Sequence, residues 1–131
     1  MGNPELIKYL NDVKYSFNSY TMNRTSIEMG IASVEDKEYF ESTLDKIKQT
    51  RAWTAQQLSR LGFTFQDSKA NFIFAKSDKI GGEELYLKLK EKGVLIRHFK
   101  NDRIKEYNRI TIGSIEEMQI FINSVTEILG E

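Results

Sequence analysis

The strongest pattern of hydrophobic and polar positions along the chain extends from residue 35 to residue 61. Its apolar positions recur at spacings of three, four or their multiples, namely Phe40, Leu44, Ile47, Ala55 and Leu58. This period predicts one amphipathic helix, which would extend about 40 Å at ~1.5 Å per residue. Ser33 or Asp36 suits its N-cap, and Gly62 suits a left-handed residue after its end. A helix of this length often connects two domains.

Beyond this helix, short strand-like segments and capped helical segments follow one another. Strands are predicted over residues 63–66, 70–75, 94–99 and 109–113, and helices over residues 83–92 and 115–129. Gly93 ends the first of these helices, and Ser114 and Glu117 have capping-box spacing before the second. The order helix, strand, strand, helix, strand, strand, helix indicates the α+β class. We expect a small, mostly antiparallel sheet of about four strands with helices packed against it.

The first quarter of the chain is less regular. Residues 4–12 predict a short helix, and residues 13–20 predict an extended or looped segment. Residues 21–33 are compatible with a second helix, but their apolar positions form no clean stripe. We therefore divide the chain into two parts. Residues 1–34 are a helical arm that would pack against another domain, and residues 35–131 are a small domain.

Composition and charge restrict the function. Hydrophobic residues make up 40% of the 131 residues, but no run approaches the roughly 18 apolar residues of a membrane span, and the N-terminus lacks the features of a signal peptide. Lys plus Arg and Asp plus Glu both number 19, so no basic field favours nucleic acid. The absence of cysteine excludes disulfides, thiol catalysis and cysteine-bound metals. These features predict a soluble, cytoplasmic protein without nucleic-acid or membrane partners.

Two arginines are the best candidates for chemistry. Arg97 lies within the apolar strand VLIRHF, and Arg109 opens the strand RITIG. Alternation puts Arg97 on the face opposite Ile96 and Arg109 on the face opposite Ile110, and the loop between the strands would bring the two guanidinium groups close together. Such a pair suits a carboxylate or a phosphate. The alternative is that both are ordinary solvent-facing strand residues.

Asn71 and His98 are further candidates. Asn71 lies within a predicted strand, where asparagine is depleted, so it either hydrogen-bonds the local backbone or contacts a ligand. His98 is the only histidine, and it alternates to the face opposite Arg97, which favours a structural role over a catalytic one. No catalytic triad or phosphate-binding glycine loop can be assembled, and a metal site would have to consist mostly of carboxylates.

These same segments resemble a known family. The series GVLIRHF, a polar loop and RITIGSIEEM resembles the end of histidinol-phosphate aminotransferases, a branch of the fold type I pyridoxal-phosphate aminotransferases of class I/II. ANFIFA resembles that family's strand with an Asn-Phe pair, and NPELIKYLNDVKYSFNSYTMNRTSIEMGIAS resembles the segment after its cofactor-lysine region. The resemblance covers the chain from Asn3 to about Leu129. It departs at Ser16, where the family often has proline, and at Asn23-Arg24.

The resemblance implies roles for three residues. Arg109 matches the arginine that binds the acidic group of the substrate, which is the phosphate end in histidinol-phosphate enzymes. Arg97 matches a second arginine near that group, and Asn71 belongs to a strand that is a candidate substrate contact. The parent enzyme, expected to be a homodimer, would transfer an amino group between histidinol phosphate or imidazole acetol phosphate and glutamate or 2-oxoglutarate.

The resemblance also implies what the chain lacks. In the family, the Schiff-base lysine and the aspartate, tyrosine and asparagine that hold the pyridine ring lie upstream, in a large domain that this chain does not contain. Pyridoxal phosphate is therefore expected in the intact enzyme and not on this chain, which would be inactive alone and carry no catalytic residue.

Two other functions stay open on the sequence. A relative that decarboxylates threonine phosphate would use the same anion-binding arginines. A stand-alone, non-catalytic module that binds a small anion or a protein partner would explain the self-consistent order of elements after residue 35.

Overall fold

A computed structural model describes residues 2–130 of the chain. The elements are, in order, α1 (Pro4–Phe17), α2 (Arg24–Glu35), α3 (Lys37–Arg60), β1 (Phe63–Phe65), β2 (Phe72–Ser77), α4 (Gly82–Glu91), β3 (Arg97–His98), β4 (Asn108–Thr111) and α5 (Ile115–Leu129). The chain divides into two compact units, residues 1–40 and 41–131, with the boundary inside α3. For the described residues, five helices and one four-stranded antiparallel sheet confirm the predicted α+β class.

The first unit contains α1 and α2, and an asparagine side chain caps the N-terminus of each. The Asn3 Oδ1 atom accepts a hydrogen bond from the Glu5 backbone N–H (2.9 Å), and the Asn23 Oδ1 atom accepts one from Ser26 (2.8 Å). Each cap satisfies an N–H group that the first turn of a helix leaves without a partner. Neither helix has a buried residue in the described structure.

α1 is longer than the sequence predicts. Residues 13–20 are predicted to be extended or looped, but the helix continues through Phe17. Val13, Tyr15 and Phe17 favour strands, yet no glycine or proline interrupts the helix before Asn18, whose backbone is extended (φ −153°, ψ 99°). The prediction is wrong because the strand propensity of single residues has little effect where no helix-breaking residue interrupts the segment.

α3 begins and ends close to its predicted bounds. Asp36 rather than Ser33 caps it: the Asp36 Oδ1 atom accepts a hydrogen bond from the Tyr39 backbone N–H (3.1 Å), whereas the Ser33 hydroxyl donates to the Met29 carbonyl (2.7 Å). Gly62 follows the helix at a φ of 81°, the left-handed conformation that the sequence predicts.

The four strands form one sheet in the order β1-β2-β4-β3, and every pair is antiparallel. The two central strands bury Ile73, Ala75 and Ile110 on the same face. Apolar side chains of α3, α4 and α5 pack against this face, including Leu58, Leu85, Leu89, Phe121 and Val125. Burial of a large apolar side chain contributes about 1.5–3 kcal/mol, so the second unit has a hydrophobic core of its own.

β3 is shorter than predicted. A strand is expected over residues 94–99, but only Arg97 and His98 pair with β4. The Val94 backbone N–H instead donates to the Leu89 carbonyl at the end of α4 (2.9 Å), which satisfies one of the carbonyl groups that a helix end leaves free. The chain therefore joins the sheet later than the apolar pattern indicates.

The last helix has the predicted start. Ser114 and Glu117 form a capping box, in which the Ser114 backbone N–H donates to the Glu117 carboxylate (2.8 Å) and the Glu117 N–H donates to the Ser114 hydroxyl oxygen (3.3 Å). Two otherwise unpaired N–H groups are satisfied in this way. Among residues 2–130, no helix is both long enough and apolar enough to cross a membrane.

Candidate functional site

The two arginines selected from the sequence are cross-strand neighbours. The register of β3 and β4 sets Arg97 directly opposite Arg109, and both residues are exposed. Residues directly opposite in an antiparallel ladder have Cβ atoms about 4.5–5.5 Å apart, so both guanidinium groups belong to one patch of the sheet. The predicted alternation is confirmed in β4, because Ile110, next to Arg109, is buried on the other face.

Within the described part of the chain, neither arginine forms an ion pair with a carboxylate. Each guanidinium carbon instead lies over an aromatic ring, with Arg97 5.4 Å from the Phe99 centroid and Arg109 5.6 Å from the Phe72 centroid. Such contacts contribute about 0.5–1 kcal/mol at exposed sites and orient the charged groups. Two adjacent positive charges without a carboxylate partner favour the binding of an anion.

A row of aromatic side chains lies beside the arginines on the same face. Phe74, which is opposite Arg109 in the ladder of β2 and β4, stacks on Tyr107 (centroids 4.8 Å apart) and meets Phe99 edge to face (6.1 Å). The Lys76 Nζ atom lies 5.9 Å from the Tyr107 centroid. We call this surface the open face, and its residues are Phe72, Phe74, Lys76, Arg97, Phe99, Tyr107 and Arg109. The alternation of the strands predicts its arginines, whereas no local pattern in the sequence indicates its aromatic row.

A groove of about 670 Å³ adjoins the open face. It shares three aromatic side chains with that face, and its other walls are residues 64–70 with Arg103 and Ile104. Neither Arg97 nor Arg109 lines it. The groove can therefore hold a part of a ligand that has both polar and apolar atoms. The two arginine side chains lie outside the groove.

Asn71 is not brought together with the arginines. β2 begins at Phe72, so the prediction that Asn71 lies within the strand is wrong by one residue. The Asn71 carbonyl accepts a hydrogen bond from the Ile112 backbone N–H (2.8 Å), and its side chain is exposed. Because Phe72 belongs to the open face, alternation assigns Asn71 to the other side of the sheet.

His98 lies on the helix-covered side of the sheet, as alternation predicts. It is half-buried, and its ring stacks on that of Tyr86 in α4, with centroids 5.9 Å apart. Its partner across the ladder is Asn108, which is 1% exposed and donates from Nδ2 to the Gly82 carbonyl (2.9 Å). Both side chains thus face α4 and not the open face.

The family model of aminotransferase class I and II matches residues 1–125 of the chain. The chain belongs to this family. One relative, the histidinol-phosphate aminotransferase of Brachyspira hyodysenteriae (strain ATCC 49526 / WA1), is 50% identical over 129 residues, which are 98% of this chain and 36% of that protein. The chain thus spans little more than a third of the length of the curated relatives it matches.

Solved structures share the fold of this chain. The histidinol-phosphate aminotransferase from Clostridium acetobutylicum superposes with a TM-score of 0.76 at 23% identity, over 90% of this chain and 36% of that one. The enzyme of the same name from Sinorhizobium meliloti, in complex with pyridoxal-5′-phosphate, superposes with a TM-score of 0.76 at 21% identity, over 86% and 32%. At these identities the likeness establishes the fold alone.

The chain offers no buried lysine for a covalent cofactor among residues 2–130. Every lysine there is exposed except Lys76, which is half-buried and lies against the Tyr107 ring. A lysine that forms an imine with a cofactor is typically desolvated or otherwise activated. The same residues contain no group of three or more His, Asp or Glu side chains that could hold a metal ion. The described residues do not fit a cofactor site of their own.

Proposed function

We propose that the chain is the small C-terminal domain of a histidinol-phosphate aminotransferase, in which Arg97 and Arg109 bind the phosphate end of the substrate. The family match and the 50% identity to a relative of that name support the proposal. The observation that carries it is the direct opposition of two exposed arginines across one ladder. In this proposal residues 35–131 are the small domain, and residues 1–34 are an arm that joins it to a large domain.

The chemistry of a phosphate monoester suits this pair. It carries about −1.5 to −2 charges near pH 7 and offers three acceptor oxygens. Each guanidinium can donate two parallel hydrogen bonds, so two arginines on neighbouring strands can engage the oxygens from both sides. The rings of Phe99 and Phe72 lie beneath the guanidinium groups and reduce the freedom that binding would remove. No ion pair within the described residues has to break first.

In the intact enzyme the two arginines would act by positioning. A substrate held by its phosphate end has fewer orientations available, so its reacting carbon meets the catalytic groups in a productive geometry more often. Pyridoxal phosphate would supply the electron sink for amino transfer between histidinol phosphate or imidazole acetol phosphate and glutamate or 2-oxoglutarate.

The isolated chain would lack the activity of the intact enzyme. Because every described lysine is exposed or only half-buried, the chain alone would neither hold the cofactor nor transfer an amino group. The Asn71 side chain, which is exposed one residue before β2, would contact a part of the substrate away from the phosphate end that the arginines bind. The intact enzyme would be a cytoplasmic homodimer that acts on a small anionic substrate, without nucleic-acid or membrane partners.

The test of the arginine roles uses the complete enzyme polypeptide. Arg109→Ala and Arg97→Ala are compared with Arg60→Ala, which removes the same charge from an exposed position at the end of α3. We expect kcat/KM for histidinol phosphate to fall about 10- to 100-fold in the first two variants, as for the loss of hydrogen bonds to a charged group. Histidinol, which lacks the phosphate, should be handled almost equally by all four proteins. Unchanged kinetics with histidinol phosphate in Arg109→Ala would contradict the proposed role.

Two measurements separate this proposal from the other functions. Release of carbon dioxide from threonine phosphate by the complete enzyme, without amino transfer, would favour the decarboxylase. An immunoblot of source-cell extract with an antibody to this chain should show a band far above 15.2 kDa. A native band at the mass of the chain alone would instead favour a non-catalytic binding module.

A further inference from the structure

A second cross-strand pair lies immediately beside the two arginines. His98 follows Arg97 and Asn108 precedes Arg109, and the register sets His98 directly opposite Asn108. These two pairs are the whole ladder that joins β3 to β4. Because side chains alternate along a strand, the arginine pair lies on the open face and the His98–Asn108 pair lies on the helix-covered face.

Both members of the second pair are attached to α4. The Asn108 Nδ2 atom donates to the Gly82 carbonyl (2.9 Å), and the His98 ring stacks on Tyr86 one turn further along the helix (centroids 5.9 Å, interplanar angle 26°). The pair therefore connects two strands to one helix. A movement of β3 relative to β4 would disturb both contacts.

Each member also carries a buried polar atom without a hydrogen-bond partner among the described residues. These atoms are Nδ1 of His98 and Oδ1 of Asn108. Leaving such atoms unpaired is unfavourable, because each has lost its water. Oδ1 is an acceptor only, since the amide nitrogen of Asn108 is already the donor to Gly82. Nδ1 is a donor or an acceptor according to the tautomer of the imidazole.

We propose that neutral His98 carries its proton on Nδ1 and donates it to Asn108 Oδ1, which makes these two residues a positioning pair for Arg97 and Arg109. Directly opposite residues have Cβ atoms only about 4.5–5.5 Å apart, so the donor can reach the acceptor by side-chain rotation. His98 is only half-buried, and its Nε2 atom, unlike Nδ1, is not among the buried atoms that lack a partner.

The bond acts on the arginines through the register of the ladder. A shift of one residue would turn every side chain of β3 to the other face, which would remove Arg97 from the open face. The arginine pair itself opposes this ladder, because like charges directly opposite are destabilising. The polar pair behind it supplies a directional contact that favours the observed register. The effect of the register on anion binding rests on the proposed function. The hydrogen bond between His98 and Asn108 does not depend on that function.

The tautomer can be read directly, because His98 is the only histidine of the chain. Nitrogen-15 histidine labelling of the 131-residue protein and two-dimensional NMR at pH 8 should give one ring signal set. We expect Nδ1 to show the shift of a protonated nitrogen and Nε2 that of an unprotonated one. A proton on Nε2 instead would overturn the inference. That tautomer is expected if a water molecule donates hydrogen bonds to both His98 Nδ1 and Asn108 Oδ1.

The positioning role is tested with inorganic phosphate as the probe. His98→Phe keeps a ring to stack on Tyr86 but has no donor, whereas His98→Asn restores an amide donor near the position of Nδ1. We expect the phosphate association constant, followed through the side-chain Nε–H signals of Arg97 and Arg109, to fall roughly threefold to tenfold in His98→Phe. His98→Asn should recover most of the loss.

Each outcome decides one part of the inference. A folded His98→Phe chain that binds phosphate like the unsubstituted chain would overturn the positioning role. A His98→Asn chain as weak as His98→Phe would overturn it as well, because shape rather than the donor would then matter. An unsubstituted chain with the proton on Nδ1 but no response of either arginine to phosphate would support the hydrogen bond and contradict the proposed function.

Discussion

Arg97 and Arg109 oppose each other directly in the ladder that joins β3 to the sheet. Like charges in this position lower stability by roughly 0.2–1 kcal/mol, and no carboxylate of the described residues pairs with either of them. A local arrangement that disfavours folding is typical of a functional site, where sequence is selected for something besides stability. The open face is therefore the surface where the free chain should respond most to anions.

Replacing Arg97 with glutamine should stabilise the free chain, because the repulsion from Arg109 is removed and a polar side chain is kept. We expect the free energy of unfolding, measured by urea titration at low ionic strength, to rise by a few tenths to about 1 kcal/mol. The gain should shrink near 1 M NaCl, where the Debye length falls to about 3 Å. Arg103→Gln is the control for loss of charge alone. A loss of stability in Arg97→Gln would mean that the contact with Phe99 outweighs the repulsion.

α4 begins at a glycine because backbone atoms of the loop between β3 and β4 leave no room for a side chain. A Cβ at Gly82 would collide with the Lys105 carbonyl oxygen and lie 2.8 Å from the Glu106 carbonyl carbon. Gly82→Ala should therefore lower the free energy of unfolding by about 1–3 kcal/mol, as overpacking does. At Gly81 a Cβ would meet only the end of the Glu106 side chain, at 3.8 Å. Gly81→Ala is thus a matched control with an expected change below about 1 kcal/mol, and equal effects would contradict this explanation.

Arg51 connects α3 to the turn before β2. Its Nη1 atom donates to the Ala70 carbonyl (2.7 Å), and the Ser68 hydroxyl donates to the Phe72 carbonyl (2.7 Å), so the turn is held from two directions. Arg51→Met should lower the free energy of unfolding by about 1 kcal/mol, near the middle of the range for one hydrogen bond. Hydrogen exchange should show faster exchange of the amides in this turn and unchanged protection in β4. Uniformly faster exchange would mean that Arg51 stabilises the whole unit and not the turn.

Much of the fold could be predicted because its signals are local. The apolar stripe of α3, the capping box at Ser114 and the alternation around Arg109 each depend on residues a few positions apart. The last turn of α1 could not be predicted from Val13 and Phe17, whose propensities favour a strand. The late start of β3 depends on the hydrogen bond from Val94 to the end of α4, which no periodic pattern contains.

The candidate site was predictable only in part. Alternation gives the faces of Arg97 and Arg109, but their direct opposition depends on how the long polar loop between them sets the register. The aromatic row could not be predicted because it depends on a contact between residues far apart in the sequence. The pairing of β2 with β4 places Phe74 opposite Arg109. The prediction for Asn71 is wrong because the strand pattern begins two residues too early, at Ala70, in the turn that Arg51 holds.

The first turn of α5 makes the stability of the fold depend on pH through Glu116. The pKa of this exposed carboxyl is lowered below 4.5, first by a hydrogen bond from its own backbone N–H and then by one from the Ser114 side chain. A carboxyl with a lower pKa in the folded state stabilises the fold at pH values above its unfolded pKa. This contribution is lost as the pH falls through the folded value. Stability should therefore decline as the pH falls below about 4.5, and Glu116→Gln should reduce the decline.

Ser114→Ala separates the two causes. The substitution removes the hydrogen bond from the Ser114 side chain but leaves the backbone hydrogen bond, which lowers the pKa of Glu116 more. The pKa of Glu116 should therefore rise only part of the way to 4.5. Carbon-13 NMR of the carboxyl group measures this pKa. It also removes the acceptor of the Glu117 N–H, so the free energy of unfolding at pH 7 should fall by about 0.5–2 kcal/mol. Ser124→Ala is the control, because the Ser124 hydroxyl donates to the Ile120 carbonyl within the helix (2.8 Å) and caps nothing. An unchanged pKa of Glu116 in Ser114→Ala would mean that the backbone alone lowers it.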